Sequence, residues 1–125
     1  MSKASQLSHL QPMDLVLNRT SDELRKMQEG IIRLQDAVGA MMQAGVHLHE
    51  ADMNDLQYLD HLSQEIAAVA DFLGSISSHI TDNIMVDTHK TTSSVTLARM
   101  VTRLRGIEVA IMEHQMHVQD DIELF

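Results

Sequence analysis

The 125-residue chain has no cysteine, no tryptophan, one tyrosine, two phenylalanines and one proline. Without cysteine there is no disulfide framework and no thiolate metal centre. Three aromatic side chains leave an aromatic-rich β-sandwich without its core. No apolar run approaches the roughly 18 residues that a membrane span requires. The opening MSKASQLSHLQP lacks the apolar stretch of a signal peptide. The expectation is a cytoplasmic protein with no membrane partner. What the chain does hold is 44% apolar residues, ten of them methionine, enough for one modest aliphatic and thioether core over residues 1–125.

Positive charge is also scarce. Nine bases face eighteen acids, a formal net charge of -9. No Lys or Arg lies between Arg33 and Lys90, and the one basic cluster is Arg99, Arg103 and Arg105. A phosphate backbone would be repelled, so nucleic acid is not an expected partner. A protein with a basic or mixed surface is.

Apolar spacing is helical throughout. Leu10, Met13, Leu17, Thr20, Leu24, Met27, Ile31, Leu34, Val38, Met41, Gly45 and Leu48 alternate by three and four, the seam of a helix paired along its length. The spacing predicts a helix over about 13–45, with Pro12 at its start and a length of roughly 50 Å at ~1.5 Å per residue. A second helix over about 53–81 carries Leu59, Leu62, Ile66, Val69, Leu73, Ile76 and Ile80, with Asp52 or Asn54 as its cap. Residues 82–94 read as a connection. A third helix over about 94–118 carries Leu97, Met100, Leu104, Ile107 and Ile111, weakened at Gly106, before an acidic tail at 119–125. The fold class expected is all-α: one helical-bundle domain built from a long antiparallel hairpin and a shorter third helix. A lone hairpin cannot cover both seams, so a homodimer is expected as well.

On the second helix, Gln57, Asp60, Gln64, Asp71, Ser75 and Ser78 point away from that seam. Asp60 and Gln64 stand one above the other, with His61 beside them and small Ala67 and Ala68 next along. By composition about one Asp-x-x-x-Gln pair is expected by chance, so the spacing alone carries no weight.

The context carries more. The run Leu59-Asp60-His61-Leu62-Ser63-Gln64-Glu65-Ile66, midway along a hairpin helix, resembles the phosphatase motif of the CheZ chemotaxis family. The terminus Gln119-Asp120-Asp121-Ile122-Glu123-Leu124-Phe125 resembles the acidic, Phe-terminated tail by which that family holds its phosphorylated response regulator. In size the chain looks more like the small CheZ-like proteins of the CheT group. The resemblance covers roughly Met13 to Ile80 and the last seven residues. It implies a CheZ-like bundle, Gln64 orienting a water toward the aspartyl phosphate of a CheY-like regulator, and Asp60 docking on the regulator's active-site lysine. It further implies partner contacts through Gln57, His61, Ala67, Ala68 and Asp71, and through Asp120, Asp121, Ile122, Leu124 and Phe125 of the tail. No cofactor is implied on this chain, since the Mg2+ belongs to the regulator. His61 inside the motif and the short tail linker depart from the family pattern.

The main rival is a non-enzymatic adaptor using the same bundle, with a regulator or the receptor methyltransferase CheR as its partner. Other chemistry has less behind it. His47, His49, Glu50 and Asp52 are metal-ligand types, but His-x-His on a helix points to different faces. His114 and His117, three apart, read as solvated or seam residues, and no metal site is expected. Phe72 to His79 resembles a histidine-kinase phosphorylation box, yet Ile80 stands where an acid would orient the imidazole.

Overall fold

The computed structural model describes residues 9–106. Two long helices, α1 (Met13–Gln43) and α2 (Glu50–His79), pack antiparallel along their length as a hairpin. Its open end is closed by β1 (Leu10–Pro12), β2 (Met85–Asp87), the one-turn helix α3 (Thr88–Thr91) and α4 (Ala98–Arg105). The all-α expectation holds in its larger part, a mostly helical chain dominated by a hairpin. The two strands correct it. They pair antiparallel, Leu10 with Asp87, Gln11 with Val86 and Pro12 with Met85. Each is three residues long, too short to show a period of two, and the partners come together only because the hairpin returns the chain to its start.

The helix ends follow their local chemistry. Pro12 is the residue before α1, with φ -59° and ψ 136°, where its missing N–H costs nothing, and the Met13 N–H donates to the Ile84 carbonyl at 2.8 Å. At the far end Gly45 adopts φ 94°, its N–H donates to Met42 O and the Val46 N–H to Met41 O, both at 3.1 Å. This is a Schellman stop, and glycine supplies the left-handed turn it needs. Helix α2 starts earlier than expected: His49 is its cap, and its backbone N–H donates to the Asp52 carboxylate at 3.1 Å.

The two seams are rotated by one residue from the apolar lines in the sequence. On α2 the buried side chains are Ser63, Ala70 and Ser77, and Val69 is 49% exposed. On α1 Ser21 is buried and Gln28 and Gln35 are half-buried, whereas Met27, Leu34 and Met41 are exposed. Leu17, Leu24, Ile31 and Val38 keep their place, as do Leu59, Ile66, Leu73 and Ile80. Small residues on the inner line let the backbones approach. That approach is fastened by the Ser21 hydroxyl donating to Ala70 O and the Ser77 hydroxyl donating to Asp14 O, each at 2.8 Å. A buried hydroxyl with a carbonyl partner avoids the desolvation penalty that would otherwise disfavour this rotation.

The third helix is shorter than expected over the described residues. It begins at Ala98, and Gly106 with φ 69° closes it after Arg105. A side chain at Gly106 would also run into the Arg19 guanidinium. Residues 107–118 of the expected helix lie outside the described residues. Helix α4 is held to α1 by Arg103, whose Nε and Nη2 donate to the two carboxylate oxygens of the buried Glu23 at 2.5 and 2.9 Å. Arg19 donates to Gln11 and to Leu104 O, and Gln11 Nε2 donates to Arg105 O at 2.7 Å.

Candidate functional site

The rotation gives the hairpin two unlike flanks. In an antiparallel pair, positions that follow the inner line on both helices fall on one side, and those that precede it fall on the other. The first flank is polar. Here Arg25 Nη2 reaches Asp71 Oδ1 at 2.6 Å, between two exposed side chains. The second carries Met27, Leu34, Met41, Leu62, Val69 and Ile76.

The Asp60–Gln64 pair stands on the polar flank of α2. Both are exposed, and Gln64 Nε2 donates to Asp60 Oδ2 at 2.9 Å. The bond uses Gln64 Nε2 and Asp60 Oδ2, and among the described residues Gln64 Oε1 and Asp60 Oδ1 accept no hydrogen bond. The helix supplies this geometry, because residues four apart are neighbours on its surface. Exposed Gln57 and Asp71 continue the Gln64 line one heptad to either side, so the strip from 57 to 71 is about 21 Å long. Ala67 and Ala68 follow Gln64 without bulk to block an approaching surface, Ala67 half-buried and Ala68 exposed. His61 Nε2 meets Glu65 Oε1 at 3.0 Å on the outer side of the same helix. The strip is convex, so a reacting group would have to come from a partner's cavity.

The structure therefore brings Gln57, Asp60, His61, Gln64, Ala67, Ala68 and Asp71 onto one continuous side of α2. Of these, Asp71 is engaged by α1 through Arg25. The tail residues Asp120, Asp121, Ile122, Leu124 and Phe125, and the pair His114 and His117, lie outside the described residues.

Other titratable groups sit elsewhere. His49 and Asp52 are joined by helix capping, and among the described residues no three His, Asp or Glu side chains converge on a common point that could hold a metal ion. The exposed His79 directs Nδ1 to Ser75 O at 2.7 Å, a backbone partner rather than an acid. At the closed end the rings of His9 and His89 stack with centroids 3.5 Å apart. Burial, then Arg105 and His9, hold the His89 imidazole below its ordinary value. The Asp87 carboxyl is held low chiefly by the backbone N–H of Lys90, which it accepts while capping α3. The apolar flank and the Glu23–Arg103 clamp were not separable in the sequence from core and from a generic basic cluster. The signal that could have exposed the flank is the seven-residue spacing of the small residues Ser63, Ala70 and Ser77 beside the apolar line.

One sequence profile, Domain of unknown function (DUF8776), matches residues 9–125. The chain belongs to the DUF8776 family. The match takes in the whole hairpin, the Asp60–Gln64 pair and the terminal residues 119–125. No curated protein matches the chain, and no solved structure does.

Proposed function

We propose that this DUF8776 protein is a CheZ-like chemotaxis protein that dephosphorylates a CheY-like response regulator. The observation that carries the reading is the hydrogen-bonded Asp60–Gln64 pair, both residues exposed, midway along a long hairpin helix. In the reaction the oxygen of a water forms the new bond to phosphorus, and the bond from phosphorus to the regulator's aspartyl oxygen breaks. Carboxylate and inorganic phosphate result, with the water's protons passing to phosphate and solvent. Gln64 Oε1 accepts a hydrogen bond from that water and holds it in line. A neutral amide does so without repelling the phosphoryl charge. Asp60 Oδ1 meets the regulator's lysine while Oδ2 keeps the Gln64 amide in place. The acidic, Leu- and Phe-bearing tail tethers the regulator and raises its local concentration. The bundle is homodimeric and works in the cytoplasm beside its partner. Among the described residues no helix is long and apolar enough to cross a membrane.

The test is decay of phosphorylated regulator with and without the protein. Wild type accelerates it. Gln64→Ala abolishes the acceleration while leaving complex formation nearly intact, because the amide acts chiefly in the transition state. Asp60→Ala weakens both binding and rate. A second reading rests on the same bond: the pair satisfies itself on the surface, as residues of a plain binding face do. On that reading the protein is an adaptor for a regulator or for the methyltransferase CheR. Failure of wild type to accelerate the decay, or full activity of Gln64→Ala, selects it.

A further inference from the structure

We infer that Nε2 of His79, at the end of α2, is a phosphoryl acceptor that takes its group from an aspartyl phosphate. The donor is the regulator of the reading above, so the inference rests on that partner while using a different part of the helix. Gln64 and His79 stand about 22 Å apart along α2 and about 60° apart around it. The phosphoryl group of one docked regulator cannot reach both.

The hydrogen bonds of the ring fix its tautomer. His79 Nδ1 lies 2.7 Å from Ser75 O, and a carbonyl oxygen can only accept, so Nδ1 carries the proton and donates. The second neighbour agrees. Ser78 Oγ stands 3.2 Å from Nδ1, but its own hydrogen goes to Ser75 O at 2.9 Å, which leaves the oxygen toward Nδ1 as an acceptor. In the neutral ring the lone pair is therefore on Nε2. Nε2 has no partner among the described residues, and His79 is exposed.

The other described histidines lack this combination. His61 turns Nε2 to Glu65 Oε1, the His49 side chain accepts from the backbone at its helix cap, and the rings of His9 and His89 cover one another. His47 is exposed but has nothing to hold its ring. The approach to His79 is open as well. Ser75 and Ser78 beside it are small and exposed, and no acid stands between Asp71 and Asp82 to repel an incoming phosphoryl group.

In the step, the Nε2 lone pair forms the bond to phosphorus while the bond from phosphorus to the aspartyl oxygen breaks. That oxygen keeps the electron pair and leaves as carboxylate. The ring gains positive charge as it attacks, and the Nδ1–H bond to Ser75 O stabilises it. No further reactant enters.

The full chain is tested with two donors. Phosphoramidate, which phosphorylates imidazole directly, should label His79 at least tenfold faster than His47. Peptide mass spectra locate the group, and its phosphorus resonance reports attachment at Nε2. Phosphorylated regulator should transfer one group per chain to the same nitrogen, in wild type and in Gln64→Ala alike. His79→Asn keeps a side-chain N–H for Ser75 O and removes the nucleophile, so it should lose the label from both donors with its helical circular dichroism unchanged. With regulator in large excess, one transfer per chain leaves the Gln64-dependent decay readable, and that decay should persist in His79→Asn. Labelling of His79 at the rate of His47, as a ring that only caps the helix would show, overturns the acceptor. Rapid labelling by phosphoramidate with none from the regulator overturns the aspartyl-phosphate donor. Transfer from the regulator without any Gln64-dependent decay upholds the inference and overturns the phosphatase reading alone.

Discussion

The Arg103 guanidinium grips both oxygens of the Glu23 carboxylate, at 2.5 and 2.9 Å, across eighty residues of sequence. The Glu23 side chain is 7% exposed, and among the described residues Arg103 is the cation that compensates its charge. The pair joins α4 to α1.

Arg103→Ala leaves the carboxylate buried and unpaired. It should destabilise the protein by about 2–3 kcal/mol, since removing one partner of a largely buried pair costs more than the pair contributes. Urea unfolding gives the value. The double change Glu23→Met with Arg103→Met should recover most of the loss, and a single change costing under about 0.5 kcal/mol would show the clamp to be idle.

The rotated seam has its own test at Ala70, which is fully buried where the two helices touch. Ala70→Leu should cost about 1–3 kcal/mol through overpacking. Ala68→Leu, on the exposed side of the same helix, should change stability by no more than about 0.5 kcal/mol. Thermal melts of the two variants compare them directly. Equal effects would place Ala70 off the contact.

Acid should loosen the closed end of the hairpin. His89 is held below its ordinary value of 6.5, so the folded state favours the neutral ring and the unfolded state binds the proton first. Its contribution is complete above about pH 6.5 and is lost as pH falls through the lowered folded value. The depressed Asp87 carboxyl acts in a separate window, contributing above about 3.8 and losing that contribution below it. The urea midpoint should therefore fall between about pH 7.5 and 5.5, and His89→Gln should flatten that slope. An unchanged slope in the variant would remove His89 as the cause.

The tail is tested by deleting Asp120 to Phe125. Binding to the phosphorylated regulator should weaken at least tenfold as the tether is lost, while the far-ultraviolet spectrum of the hairpin stays the same. Unchanged affinity would remove the tether from the mechanism.

Local pattern alone determined the two long helices, their meeting near Gly45, and the exposure of Asp60 and Gln64 on one side of the second. Alternation by three and four over so many turns admits no other period, and glycine with a capping acid marks a break without help from distant residues. Such a pattern names the apolar line but not which of two adjacent lines becomes the contact. Tertiary packing decided that. The seam turned by one residue because Ser21, Ser63, Ala70 and Ser77 permit close backbones, and because Ser21 and Ser77 find carbonyl partners across the gap. Val69 and Leu34 were left outside for the same reason. The β1–β2 pairing, the His9–His89 stack and the Glu23–Arg103 clamp likewise needed the folded hairpin, since each joins residues 73 or more positions apart. No local period encodes such a contact, and it becomes favourable once α1 and α2 have brought the two ends of the chain together.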